Sequence, residues 1–412
     1  MRSRHGGQRG PPRRGGGGSR RDGTRPRGHA RAARDDPRRN EGGDPGSARV
    51  TLEALDADPH PLLARLRASE PVAWVPALGA WLVTRRDLAL AVLRADATFT
   101  VDDPRFSTAR VVGPSMLSLD GDEHARHRAP FAAPFRLAAV HARLGAVVAE
   151  EAERLADAIA PAGRAELRRE FAGPLAAAVV TRALGLDGAD TAAVLRWYDA
   201  IVAAVTGVTA GRPVSAAGRE AFAELRGALL PVAADAGGLD PDEAVSNAAV
   251  LLFGGIETTE GMIANAVLHL LTHPEALALV RADPGLVAAA IEESLRLEPA
   301  AATVDRYATR DVALGGAAIG RGDLVTVSIA AANRDPATFP DPDRFDVRRE
   351  NARQHLAFAA GPHVCLGIHL ARLEAQTAIG VLLERFPGLR LAGPAAPRGL
   401  VFRKPPELRV VF

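Results

Sequence analysis

Cysteine occurs once among 412 residues, as Cys365 in the run Gly-Pro-His-Val-Cys-Leu-Gly at 361–367. The run follows a turn rich in Gly, Ala and Pro and precedes a helical pattern. A thiolate there would sit near backbone N–H groups and the positive end of a helix dipole, which lower a thiol pKa and stabilise the anion. Gly361 and Gly367 let the backbone come close to a flat ligand. The segment by itself fits a reactive or metal-binding thiolate and an inert buried thiol equally well. A thiol nucleophile is a third option, but no Cys-His protease signature surrounds it.

A second chemical group lies in the long apolar stretch 241–271, where Gly254-Gly255 is followed by Glu257-Thr258-Thr259. Glycines and β-branched threonines weaken a helix. A hydroxyl beside a carboxylate in a buried helix suits proton delivery through water. The bland alternative is a satisfied polar pair at a close helix crossing. Two further pairs share helical faces: Glu293 with Arg296, and His124 with Arg128. Each reads by itself as an ordinary surface feature, and an exposed ion pair is worth little.

These residues need elements to hold them. From residue 50 onward helical periodicity dominates, with patterns at 61–68, 86–94, 122–135, 138–160, 171–185, 190–206, 215–236, 241–272, 274–281, 284–297 and 366–385. An Asp-Pro start signal opens the 241 helix. Residues 71–84 read as a hairpin, and 311–331 as short strands broken by Gly turns. No internal repeat or linker follows residue 49, so 50–412 reads as one mainly α domain with a minor β part.

Residues 1–49 differ. They hold 14 arginines against 5 acids, a net charge of +9, whereas the whole chain carries +2 and the remainder therefore −7. Such a segment buries almost nothing and is expected to be disordered. A salt-sensitive polyanion contact is one reading of it. A dispensable extension of a GC-rich gene, in which Lys404 is the only lysine, is the better one, so no nucleic-acid partner is expected. No run of about 18 apolar residues is found, so no membrane span is expected. One cysteine makes no internal disulfide, which fits a cytoplasmic setting.

Taken together, the motifs resemble those of the cytochrome P-450 superfamily, of the bacterial type without an anchor. The segment 358–367 is similar to its haem-binding signature, Phe-Gly-x-Gly-x-His-x-Cys-x-Gly, through Phe358, Gly361, His363, Cys365 and Gly367. The first glycine is replaced by Ala359. Residues 254–258 resemble the oxygen-activating motif (Ala/Gly)-Gly-x-(Asp/Glu)-Thr. The run from Asp120 to Arg128 resembles the helix whose His and last Arg bind haem carboxylates, and Arg306 matches the strand arginine with the same task. Five motifs in order, over about residues 60–400, make the resemblance specific.

The resemblance implies a triangular, mainly α fold with a minor β-sheet part and one haem b. It implies Cys365 as the axial ligand of the haem iron, with His124, Arg128, Gly254, Arg306, Phe358, Gly361, His363 and Gly367 around the cofactor. Glu257 would be the acid and Thr258 the alcohol of oxygen activation. Glu293, Arg296 and a second arginine, Arg344, would form a structural cluster behind the haem. The substrate pocket would involve Ala249, Phe253, Ala301, Thr303 and Val401. The implied activity is insertion of one atom of dioxygen into a small apolar or natural-product-like substrate, by hydroxylation or epoxidation. Electrons would come from a separate ferredoxin and an NAD(P)H-dependent ferredoxin reductase docked near Arg128 and Arg372. A peroxide-driven peroxygenase and a non-catalytic carrier-protein-binding relative are the alternatives. The Glu257-Thr258 pair weighs against the first and the retained Cys365 against the second.

Overall fold

In this computed structural model the described residues are 47–412, except 187, 210 and 234–236. The basic segment 1–46 lies outside them. Ser47–Arg49 form a 3-10 turn.

Long helices carry the fold. Near the start lie α1 (Leu52–Ala57), α2 (His60–Ser69), α3 (Arg86–Arg94) and α4 (Ser107–Val112). Then come α5 (Gly121–Ala132), α6 (Leu137–Ile159), α7 (Gly173–Ala183), α8 (Thr191–Thr209) and α9 (Ala216–Ala233). The central α10 (Pro241–Thr272) is followed by α11 (Pro274–Ala282), α12 (Val287–Leu297), the short α13 (Ile329–Ala332) and α14 (Ile368–Arg385). The 3.6-residue apolar spacing finds its burial: α6 alone turns Val140, Leu144, Val148, Ala152 and Leu155 inward.

α10 is 32 residues long and apolar on almost every face, and it is buried accordingly. Its start is the signal seen in the sequence. The Asp240 carboxylate accepts from the Glu243 N–H, the Glu243 side chain accepts from the Asp240 N–H, and Pro241 takes the first turn. Glu243 also accepts from Arg126 of α5 (2.8 Å), which ties the two helices together.

The β part is a five-stranded sheet built from β1 (Val72–Val75), β2 (Ala80–Val83), β3 (Phe99–Thr100), β5 (Thr303–Ala308) and β8 (Leu324–Ser328), in the order β1-β2-β8-β5-β3. The expected hairpin is β1–β2, and β2 pairs with β8 in parallel. β6 (Val312–Leu314) and β7 (Ala317–Ile319) form a separate two-stranded ribbon. β4 (Arg164–Glu166), β9 (Arg390–Leu391) and β10 (Arg409–Val411) make a third sheet. Residues 107–112, outside every helical pattern read from the sequence, are the helix α4.

α8 qualifies the expectation of no membrane span: by length and composition alone it could cross one. It carries Arg196 and Asp199, and Val194, Tyr198, Ile201 and Val208 pack into the core shared with α9 and α10.

One side chain joins distant parts of the chain. Arg403 is 2% exposed and donates to the Glu298 carboxylate and to the carbonyls of Leu55, Asp56, Ala57, Pro397 and Gly399. Burial pushes the Glu298 carboxyl up, but its bond to His60 and the charges of His60, Arg403 and Arg334 outweigh that and hold it at about 2.

Candidate active site

The cysteine loop is shaped by its backbone. The Cys365 N–H donates to the Phe358 carbonyl (2.9 Å), closing the loop three residues before α14 begins. Gly361 has φ +73°, and a Cβ there would lie 2.3 Å from the Leu93 carbonyl oxygen at the end of α3, so no other residue fits. Ala359, which stands where the resembling motif has glycine, adopts φ +57°. This left-handed conformation costs about 1–2 kcal/mol for a residue with a Cβ. Gly367 has an ordinary φ, and its added Cβ would only touch Cys365 Sγ at 4.0 Å.

Burial pushes the Cys365 thiol up; the Gly367 N–H and the charges of Arg128 and Arg372 act in the opposite direction. Arg128 also donates to the Val364 carbonyl (2.7 Å), which fastens α5 to the loop. Arg372 is already committed: it forks onto Glu292 (2.6 and 2.8 Å) and lies 4.7 Å from the Phe358 ring centroid. This pairing reduces its value as a docking charge.

Four expected anion-binding residues converge beside the loop. The His124 and His363 rings lie 4.3 Å apart. His363 Nε2 is bonded to the Asp120 carboxylate (2.7 Å), which also accepts from the Thr100 hydroxyl and the Val101 N–H. Burial pushes the Asp120 carboxyl up, but these bonds win and hold it at about 2. His124 is buried, and among the described residues its Nε2 has no partner. Burial, then the nearby His363 and Arg128, lowers its pKa to about 4. Arg306 on β5 is 5% exposed, and among the described residues its guanidinium bonds only the adjacent Asp305 carbonyl. Burial lowers its pKa. An unpartnered imidazole nitrogen and an under-used buried guanidinium are costly without an anion to receive them.

On α10 the two glycines separate in role. A Cβ on Gly255 would lie 2.8 Å from Val180 Cγ2, so this glycine permits the close crossing with α7. A Cβ on Gly254 would meet nothing within 4 Å, so this one borders open space. The Thr258 hydroxyl donates back to the Gly254 carbonyl (2.6 Å). Glu257 is 5% exposed and accepts from the Tyr198 hydroxyl and from Lys404 Nζ (2.8 Å). Of the expected pocket residues, Phe253 packs edge-on against Phe402 (5.6 Å), and Ala301 forms a β-bridge with Phe402. Thr303 donates weakly to the Leu400 carbonyl (3.5 Å), and the Val401 carbonyl receives the Ala302 N–H. Ala249 lies one turn before Phe253 and is buried.

Glu293 and Arg296 form a fork at 2.7 and 2.8 Å with both side chains fully buried, not on the surface. The second arginine is Arg349, not Arg344. Arg349 Nε donates to Glu293 (3.0 Å), whereas Arg344 contributes only its carbonyl, which accepts from Arg296 and Arg349. The turn at 340–344 points carbonyls inward, so the arginine that reaches Glu293 comes from five residues further along. Tyr198, Lys404 and Asp120 were also missed as site residues. Lys404 stood out as the lone lysine, but nothing local named its partners.

The family model described as Cytochrome P450 matches residues 227–389. Cytochrome P450 monooxygenase PikC from Streptomyces venezuelae is 38% identical over 376 residues, covering 86% of this chain and 89% of that protein. The chain belongs to the cytochrome P450 family. Nocardicin C N-oxygenase from Nocardia uniformis subsp. tsuyamanensis is 37% identical, covering 86% of this P450 and 96% of the relative. Among solved structures, P450BioI in complex with hexadec-9Z-enoic acid ligated Acyl Carrier Protein superposes with a TM-score of 0.79 at 30% identity. That match covers 87% of this chain and all of the other. The mainly α fold with a small sheet part is the P450 fold. The enzyme is a haem-thiolate monooxygenase, and its cofactor is haem b. The described residues fit that group: a single cysteine, a glycine-shaped loop, and buried His124 and Arg306 lacking anionic partners.

Proposed function

We propose that this P450 uses dioxygen to hydroxylate or epoxidise a small apolar or natural-product-like substrate, with electrons from a separate ferredoxin and NAD(P)H-dependent reductase. A cytoplasmic setting and a single catalytic domain after the basic segment belong to the same reading. Cys365 would hold the iron, and His124, Arg128, His363 and Arg306 the carboxylates. When bound, the haem supplies thiolate-assisted cleavage of O–O.

The protein's share is positioning and proton supply. The observation that carries the proposal is the α10 segment: a hydroxyl folded back onto the Gly254 carbonyl beside open space, next to the buried acid Glu257. Thr258 would turn its hydroxyl into that space, and Glu257 would resupply its proton. A peroxide-driven enzyme needs neither group. Phe253, Ala301, Thr303, Val401 and, deeper, Ala249 would form the apolar wall. The relatives 20-oxo-5-O-mycaminosyltylactone 23-monooxygenase and Mycinamicin IV hydroxylase/epoxidase support a natural-product substrate. The carrier-protein complex of P450BioI supports a second reading, a substrate tethered to a carrier protein.

The reduced, CO-bound spectrum tests the ligand: the strongly red-shifted Soret band of the wild type disappears in Cys365→Ser. A histidine-type band in the wild type would sink the assignment. Turnover with ferredoxin, reductase and NADPH tests the oxidant. Product from hydrogen peroxide alone would reverse the choice.

A further inference from the structure

The acid of the oxygen site is not free to act. Both oxygens of Glu257 are taken, Oε2 by the Tyr198 hydroxyl and Oε1 by Lys404. Neither is turned to Thr258, whose hydroxyl is bonded to Gly254. Lys404 is the only lysine of the chain and its side chain is 12% exposed. Its ammonium lies between two acids one helical turn apart, 2.8 Å from Glu257 and 3.1 Å from Glu260. Glu260 has a second cation, Arg168, at 2.6 Å. Two carboxylates and two cations thus balance, and Lys404 can release Glu257 while keeping Glu260 as its counter-ion.

Tyr198 contacts the pocket wall directly, and Lys404 is linked to it through the chain segment that carries Phe402. Tyr198 projects from α8, and its ring lies 6.3 Å from Phe253. Phe253 packs against Phe402, two residues before Lys404 in the same segment. A substrate that displaces Phe253 or Phe402 therefore pulls on both restraints at once.

We propose that Tyr198 and Lys404 are positioning residues that hold Glu257 away from Thr258 until the pocket is filled, so that proton supply waits for substrate. This rests on the reading of the chain as a dioxygen-using monooxygenase. The physical benefit is thrift with reductant, since electrons and protons spent on dioxygen without a substrate end as peroxide or water.

The lone lysine makes the test direct. Reductive methylation with ¹³C-formaldehyde labels Lys404 and keeps its charge; the other labelled amine, at the N-terminus, is assigned from a Lys404→Arg control. In the holoenzyme the Lys404 methyl resonance should shift in Glu257→Gln, and in the wild type it should shift when 4-phenylimidazole, an apolar haem ligand, fills the pocket. The second shift should be lost in Phe253→Ala. A resonance indifferent to either change overturns the proposal. In turnover without substrate, Tyr198→Phe and Lys404→Gln should release at least threefold more peroxide per unit time than the wild type, and Lys404→Arg should return to within twofold of it. Equal leakage in all four proteins also overturns it. A wild type that makes product only from added peroxide would refute the dioxygen reading instead, and the resonance shifts would still decide whether the pocket and Lys404 are linked.

Discussion

Two buried clusters of acids and cations in this chain are built differently. Behind the cysteine loop, Glu293 and Arg296 are fully buried, and Arg296 also donates to the carbonyls of Asn333, Pro342 and Arg344. Arg349 adds bonds to the carbonyls of Pro340 and Asp341. On α10, Glu257, Glu260, Lys404 and Arg168 are held mainly by one another, with side chains 6–13% exposed. A cluster saturated by backbone carbonyls cannot rearrange without unfolding the loop it ties. A cluster of side chains with a surplus of possible pairings can change partners at small cost. The first is suited to holding one fixed geometry and the second, in the function proposed above, to moving a proton.

The largest expected effect breaks the rigid cluster. Arg296→Met leaves the Glu293 carboxylate buried without its fork and should cost about 3–5 kcal/mol, measured by urea unfolding. Arg344→Ala, which keeps the carbonyl, should stay within about 0.5 kcal/mol of wild type. Equal losses would show that the Arg349 assignment is wrong.

Next is acid. The Glu298 carboxyl, like those of the two clusters, is buried among cations, and its folded pKa is depressed to about 2. Its contribution is therefore complete above the unfolded carboxyl value, about 4.3, and is lost as pH falls through about 2. Unfolding free energy followed from pH 5 to 2 should fall less steeply in Glu298→Gln than in wild type, by roughly 2–3 kcal/mol over that window. An unchanged slope would contradict the depressed value.

The same measurement on Lys404→Gln sharpens the contrast. Because Arg168 remains on Glu260, the loss should be about 1–2 kcal/mol, smaller than for Arg296→Met. A larger loss would make the α10 cluster structural. The smallest effect concerns the loop itself. Ala359→Gly should stabilise the protein by about 0.5–1 kcal/mol, because the backbone already lies in the left-handed region. A destabilised variant would mean that the Ala359 methyl packs usefully.

Much of this was legible from local pattern. Helical spacing located the long helices to within a few residues, and Asp240-Pro241 marked the start of α10. The loop at 358–367 announced itself because its glycines answer steric needs of its own backbone, as Gly361 against Leu93 demonstrates. Contacts between side chains far apart in the chain were not legible. Tyr198 meets Glu257 across 59 positions, and no periodicity encodes which helix face meets which. Arg349 replaced Arg344 because loop carbonyl directions depend on φ and ψ, which residue type alone leaves open. Short elements such as α4 and β4 lack the length for a period to emerge.

Arg403 has a consequence in time. Its guanidinium holds the carbonyls of Leu55 and Asp56 across 348 and 347 positions. On a ribosome adding about 5–20 residues per second, the end of α1 therefore waits roughly 17–70 s for its partner. During that interval α1 and the sheet strand β2, whose neighbour β8 is also late, are exposed to misassociation. The yield of this protein should consequently depend on chaperone supply during synthesis more than its final stability suggests.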